Sequence, residues 1–200
     1  MTDLRIVNAP LALKADIRRL CLDTFQAHRL RQPFAFPQNA FDLLLGPLID
    51  RAFTDAQGKA AAISDCLFAA YRGATFCGYV LLSNANAFDP PPPALMIYDI
   101  HVLHAFRGTG VGRALLAHVK SLADQQGCDN LQATVWQGND AALNLFRAAG
   151  FTPQSQTLRY GPDRQARDIP LPKLRRRPIL TSMTCGSPSG WPLCIWRCGF

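Results

Sequence analysis

The chain is 200 residues long, with 48% hydrophobic and 18% charged residues and a formal net charge of +7. This composition excludes collagenous, low-complexity and membrane-embedded classes. It suits one globular domain, which at this size buries about 70% of its unfolded surface. The basic excess sits mostly in residues 161–200, so residues 1–160 are close to neutral and their charge calls for no nucleic-acid partner.

All 14 acidic residues are aspartates. There is no early apolar run of signal-peptide type and none long enough to span a bilayer, so the expectation is a cytoplasmic protein without a membrane partner. Cys21, Cys66, Cys77 and Cys128 are scattered, with no Cys-x-x-Cys pair, and read as buried free thiols rather than metal ligands.

Leu4–Val7 alternates as a first strand. Pro10 suits a helix start, and Leu13, Ile17, Leu20 and Thr24 follow at helical spacing. Pro33 and Pro37 punctuate a linker. Phe41, Leu44, Leu45, Leu48 and Ala52 predict a second helix that Pro47 kinks or divides. Residues 66–71 and 76–82 read as a hairpin around Arg72-Gly73. Residues 84–94, with four consecutive prolines, read as a loop, and Leu95–Leu103 as the next strand.

Val111, Leu115, Val119 and Leu122 mark the core face of a third helix that Gly127 ends. A strand over 131–136, a helix over 140–149 and the start of a last strand at Thr157–Tyr160 complete an α/β order with a parallel step across the third helix. Residues 161–200 are rich in Pro, Arg, Cys and Trp and read as a disordered tail. The run Leu174-Arg175-Arg176-Arg177-Pro178 leaves a nucleic-acid or membrane patch as an alternative, and a frameshifted end as another.

The most informative segment is the strand-to-helix junction Arg107-Gly108-Thr109-Gly110-Val111-Gly112-Arg113. Bare amides and the dipole of a helix N-terminus favour phosphate, and glycines let a ligand approach the backbone. Arg107 adds a charged donor. Arg113 stands where the dinucleotide fingerprint needs its third glycine, and Gly-Lys-Ser/Thr of the ATP loop occurs nowhere. A second block, Asn139-Asp140-Ala141-Ala142-Leu143-Asn144-Leu145-Phe146-Arg147-Ala148-Ala149-Gly150-Phe151, opens on a good N-cap and closes on glycine.

Together the two blocks resemble the GNAT N-acetyltransferases, over about residues 3–160. The resemblance implies an acyl-CoA N-acyltransferase fold, a mixed central sheet flanked by helices, in which strands four and five splay to admit the cofactor. It implies acetyl-CoA as cosubstrate and an amine acceptor, small molecule or protein N-terminus, with a homodimer compatible. By resemblance, Arg107, Gly108, Thr109, Gly110, Val111, Gly112 and Arg113 hold the pyrophosphate. Ile100, His101 and Val102 pair with pantetheine beside a bulge, and Asn139 either contacts the cofactor arm, caps its helix, or does both.

By resemblance, polyamine-type members carry Glu-Asp in this strand where this chain has Tyr98-Asp99, so Asp99 is the candidate base, directly or through water; His101, on the same face by period two, is the second. Structural hydrogen bonding is the alternative for both. Phe146 replaces the family's tyrosine, so it can pack against pantetheine or the helix core but cannot protonate a leaving thiolate; Tyr160 or solvent is left for that. The carboxylate that family members acting on protein N-termini place in strand five falls at Thr134. An acyl-CoA-binding protein with little catalysis is the competing function.

Overall fold

The computed structural model describes residues 3–55, 65–84 and 94–161, all within one compact unit spanning residues 1–169. Among these residues five strands form one sheet in the order β1-β2-β3-β4-β5: β1 Leu4–Asn8, β2 Cys66–Arg72, β3 Thr75–Asn84, β4 Ala94–Val102 and β5 Asn130–Ala133. The first four run antiparallel to their neighbours, and β4 and β5 are parallel. The β4–β5 crossover is α3, Val111–Gln125. The proposed hairpin is present, closed by two residues with Gly73 at φ 62°.

Period two sorts the sheet into two cores. Leu67, Ala69, Tyr79 and Leu81 face α1 (Lys14–Arg31) and α2 (Gly46–Asp55), where Ile17, Cys21, Phe25, Ile49 and Ala52 are buried. Phe68, Ala70, Val80, Leu82 and Ile97 face α3 and α4 (Asp140–Ala148) through Val111, Leu115, Leu116, Val119 and Phe146. Cys21, Cys77 and Cys128 are buried free thiols and Cys66 is half-buried.

The second helix is divided near Pro47, as its sequence suggests, into a π-helical turn over Phe41–Leu45 and α2, with the Gly46 amide reaching back to the Phe41 carbonyl. Two expectations need correction. The fifth strand ends at Ala133 rather than 136, because its partner diverges there. Thr157–Tyr160 forms no strand: Leu158 and Tyr160 are 90% and 105% exposed, so the short alternation has no surface to bury against. The expected loop falls almost wholly, and the tail all but one residue, outside the described residues. No helix among the described residues is long and apolar enough to cross a membrane.

Gly78 lies where β3 meets the end of β4. A Cβ there would sit inside the van der Waals shell of the His101 carbonyl oxygen, which is backbone and cannot swing away. Gly78→Ala should therefore destabilise the fold by about 1–3 kcal/mol, read from urea unfolding midpoints; an unchanged midpoint would contradict the close β3–β4 approach.

Candidate active site

The strand-to-helix junction has the local form that anion binding requires. After β4, a 3-10 turn over His104–Phe106 leads to Gly108 and Gly110, both left-handed at φ 73° and 91°. A Cβ added at either meets nothing within 4 Å. Glycine is thus demanded there by conformation, and the space outside the turn is open. The first α3 backbone bond runs from the Ala114 amide to the Gly110 carbonyl, leaving the amides of Val111, Gly112 and Arg113 without intrahelical carbonyls. Gly112 plays a different part. Its missing side chain lets α4 approach, since a Cβ would lie 3.0 Å from Leu145 Cδ2.

Two arginines brace this turn. Arg107 donates its Nε to the Val102 carbonyl at 3.1 Å, which ties it to the end of β4. Arg72, at the end of β2, donates to the Thr109 carbonyl at 3.1 Å, while Thr109 Oγ1 donates to the Phe106 carbonyl at 2.7 Å. Sequence reasoning missed Arg72; only the hairpin register brings it to the turn.

Beside the turn the sheet opens. The β4–β5 ladder holds four pairs and ends at Ile97–Ala133, while β4 continues to Val102, paired among the described residues on its other edge alone. Ile100, His101 and Val102 therefore edge a gap. The bulge lies just before them: Leu82 pairs with Ile97 and Leu81 with Asp99, leaving Tyr98 as the extra residue. Asn139 caps α4, its Oδ1 accepting from the Ala142 amide at 3.3 Å. Phe146 is buried and packs edge-on to Phe151 with centroids 5.1 Å apart.

Asp99 and His101 share the α1-facing side of β4, as period two requires. The Tyr79 hydroxyl donates to Asp99 Oδ2, and Cys21 of α1 and the Ile100 amide also hydrogen-bond this carboxylate. Burial outweighs those bonds and lifts Asp99 to about 6. The same enclosure, with the Asp99 charge, pushes the Cys21 thiol and the Tyr79 phenol well up. His101 stacks on Tyr79, centroids 5.9 Å apart and planes 8° from parallel, and its Nδ1 lies 3.3 Å from Thr24 Oγ1. Burial first, then the Arg107 charge, lowers His101, with Asp23 opposing. Burial thus makes Asp99 a stronger proton acceptor than a surface aspartate and His101 a weaker one than a free imidazole. Neither Tyr79 nor Cys21 was singled out from the sequence. Tyr160 is fully exposed outside any strand, and Thr134, just past β5, is exposed.

A profile of the Acetyltransferase (GNAT) family matches residues 23–151. The chain belongs to the GNAT acetyltransferase family. It is 36% identical over 84 residues to N-alpha-acetyltransferase 40 of Saccharomyces cerevisiae, a match covering 34% of this chain and 29% of that protein. It is 35% identical over 91 residues to N-alpha-acetyltransferase RimI of Mycobacterium tuberculosis, covering 46% and 54%. The chain thus matches only about a third to a half of these relatives' lengths. Among solved structures, the BH1408 protein of Bacillus halodurans superposes with a TM-score of 0.63 at 19% identity, covering 78% of this chain and 99% of that one. The aminoglycoside-modifying AAC(6')-Iy, solved with a CoA bisubstrate analogue, gives 0.57 at 18%, covering 80% and 98%. These likenesses bear out the GNAT fold.

Because folding raises Asp99 from 3.8 to about 6, the folded state holds its proton more tightly than the unfolded chain. Stability is then greatest below pH 4 as far as this group is concerned, and falls as pH rises towards 6. Asp99→Asn removes that loss. The variant should gain about 1–3 kcal/mol relative to the parent at pH 8 compared with pH 4, measured by denaturant unfolding at both. An equal difference at the two pH values would contradict a buried, raised carboxylate.

Proposed function

We propose that this chain is an N-acetyltransferase that moves an acetyl group from acetyl-CoA to the primary amine of a small molecule or a protein N-terminus. The observation that carries the reading is the junction of an open glycine turn, a parted β4–β5 pair and two proton acceptors on one strand face. The residues fit the cosubstrate. The free amides at Val111–Arg113, with Arg107 and Arg113, suit a pyrophosphate, and the edge at Ile100–Val102, which β5 does not pair, suits the amides of a pantetheine arm. Acetyl-CoA supplies the acetyl group as a thioester.

The acceptor must arrive as a free amine. Its nitrogen attacks the thioester carbonyl carbon; the C–N bond forms and the C–S bond breaks. Asp99, directly or through water, takes the proton the nitrogen sheds, and His101 stands beside it on the same face. A backbone N–H after the Tyr98 bulge can steady the developing oxyanion, a contribution of roughly 3 kcal/mol in comparable sites. The departing thiolate takes a proton from solvent, since Phe146 has none to give and Tyr160 is fully exposed.

Phe146 also favours the second reading, an acyl-CoA-binding protein with little catalysis. Acetyl-CoA binding by calorimetry, beside thiol release across an amine panel, separates the two: binding without release supports the second.

Gly110 offers a two-step test of the cosubstrate site. At φ 91° any side chain is strained, so Gly110→Ala should cost about 1–2 kcal/mol of stability yet keep acetyl-CoA binding. Gly110→Glu adds a negative charge to the same backbone cost and should abolish binding in calorimetry. Equal affinities in the two variants would remove the pyrophosphate assignment. Asp99→Asn should lower kcat/KM by about 10²–10⁴-fold, against a smaller loss in His101→Gln. The reverse order in steady-state assays would make His101 the base.

A further inference from the structure

An aromatic group joins α1 and the linker after it to the segment that follows β5, and α1 reaches His101 through Thr24. Thr24 of α1 contacts His101, and the next residue, Phe25, meets Phe36 edge-on at 5.5 Å. Phe36, from the linker after α1, packs against Trp136 at 4.6 Å and stacks on His28 at 5.6 Å. Gln32 Nε2 donates to the Gln137 carbonyl at 3.1 Å, pinning the end of α1 to the loop that follows β5. Phe25 and Phe41 are buried, whereas Phe36, Trp136 and His28 keep part of their surface exposed.

We propose that this wall seats the first side chain of a polypeptide acceptor, so that the preferred substrate is an α-amine on a large apolar residue. The inference rests on the acetyltransferase reading and names its substrate class. Three features support it. A partly exposed aromatic surface beside the proton acceptors rewards apolar contact next to the reacting nitrogen. Arg29 and Arg31 in the last turn of α1 and Arg159, whose guanidinium lies 4.0 Å over Phe34, put cations near the wall, so an acceptor with several ammonium groups meets like charge there. Asp23 of α1, which acts on His101, also lies 3.9 Å from Arg19, so its negative charge is shared.

The third feature is acidity. An α-ammonium group titrates near 8 and a lysine-type ammonium near 10.4, so Asp99, raised to about 6, is better matched to the former. The chemistry balances as for any amine. The α-nitrogen forms the amide C–N bond, the thioester C–S bond breaks, one proton leaves the nitrogen, and one is taken up by the CoA thiolate.

The test uses the full chain, acetyl-CoA and two peptides that differ only in a first Leu or Ser. An N-blocked peptide with an internal Lys, and spermidine, complete the set. Leu-first should exceed Ser-first in kcat/KM by about tenfold or more, with the blocked peptide and spermidine below both. This ratio is read on the unaltered chain and needs no variant. Trp136→Ala should bring the Leu/Ser ratio close to one, and Trp136→Phe should retain most of it. Equal rates, a preference for spermidine or the internal Lys, or a ratio unmoved in a folded Trp136→Ala protein would overturn the proposal. Transfer to the wrong acceptors overturns this inference alone. Absence of thiol release with every acceptor overturns the acetyltransferase reading and this one with it.

Discussion

The parting of β4 from β5 after Ile97 and Ala133 is the constraint on which the rest of the molecule depends. Parallel strands that have begun to pair usually continue, because an unpaired backbone amide or carbonyl away from water costs about 1–3 kcal/mol. Here the ladder stops while β4 still has five residues to run, from Tyr98 to Val102. Arg107 takes the Val102 carbonyl and Asp99 the Ile100 amide, and β5 takes none of that edge. The α3 crossover then starts close to the end of β4, so its free amides open at the same end as that edge. A ligand with an amide-bearing arm and a pyrophosphate matches both.

The bulge at Tyr98 gives the gap its chemistry. Without it, Tyr98 and Asp99 would face opposite sides. With it, Tyr98 feels Asp65 and Arg51 of the α2 side while Asp99 bonds Tyr79 and Cys21 of the α1 side, so consecutive residues serve one face. Enclosure by Tyr79 and Cys21 keeps Asp99 out of water and makes it a stronger base than a surface aspartate. In a chain without glutamate, burial supplies basicity that residue choice does not. The cost is a carboxylate that weakens the fold when ionised.

Much of the scaffold was legible in the sequence because its determinants are local. The glycine turn, the α3 and α4 periods, the Asn139 cap and the Arg72-Gly73 hairpin are each written within a few neighbouring residues. What escaped depends on register or distance. No residue type marks the bulge, so the Tyr79–Asp99 bond could not be read from alternation. Phe36 and Trp136 lie 100 positions apart, and only the fold joins them. Thr157–Tyr160 alternates like a strand, yet lacks a surface to bury against. The end of β5 at Ala133 was misjudged for the same reason: strand length is set by the partner, and the partner turns away.

Amide hydrogen exchange with and without acetyl-CoA tests the central claim most directly, because it reads the two backbone features that the cleft contributes. Exchange should slow at Ile100–Val102 and at Gly108–Arg113 on addition of acetyl-CoA, while the outer strand Leu4–Asn8 stays unchanged. Unaltered exchange at both segments, or slowing confined to the β1 edge, would contradict a cosubstrate site between the parted strands.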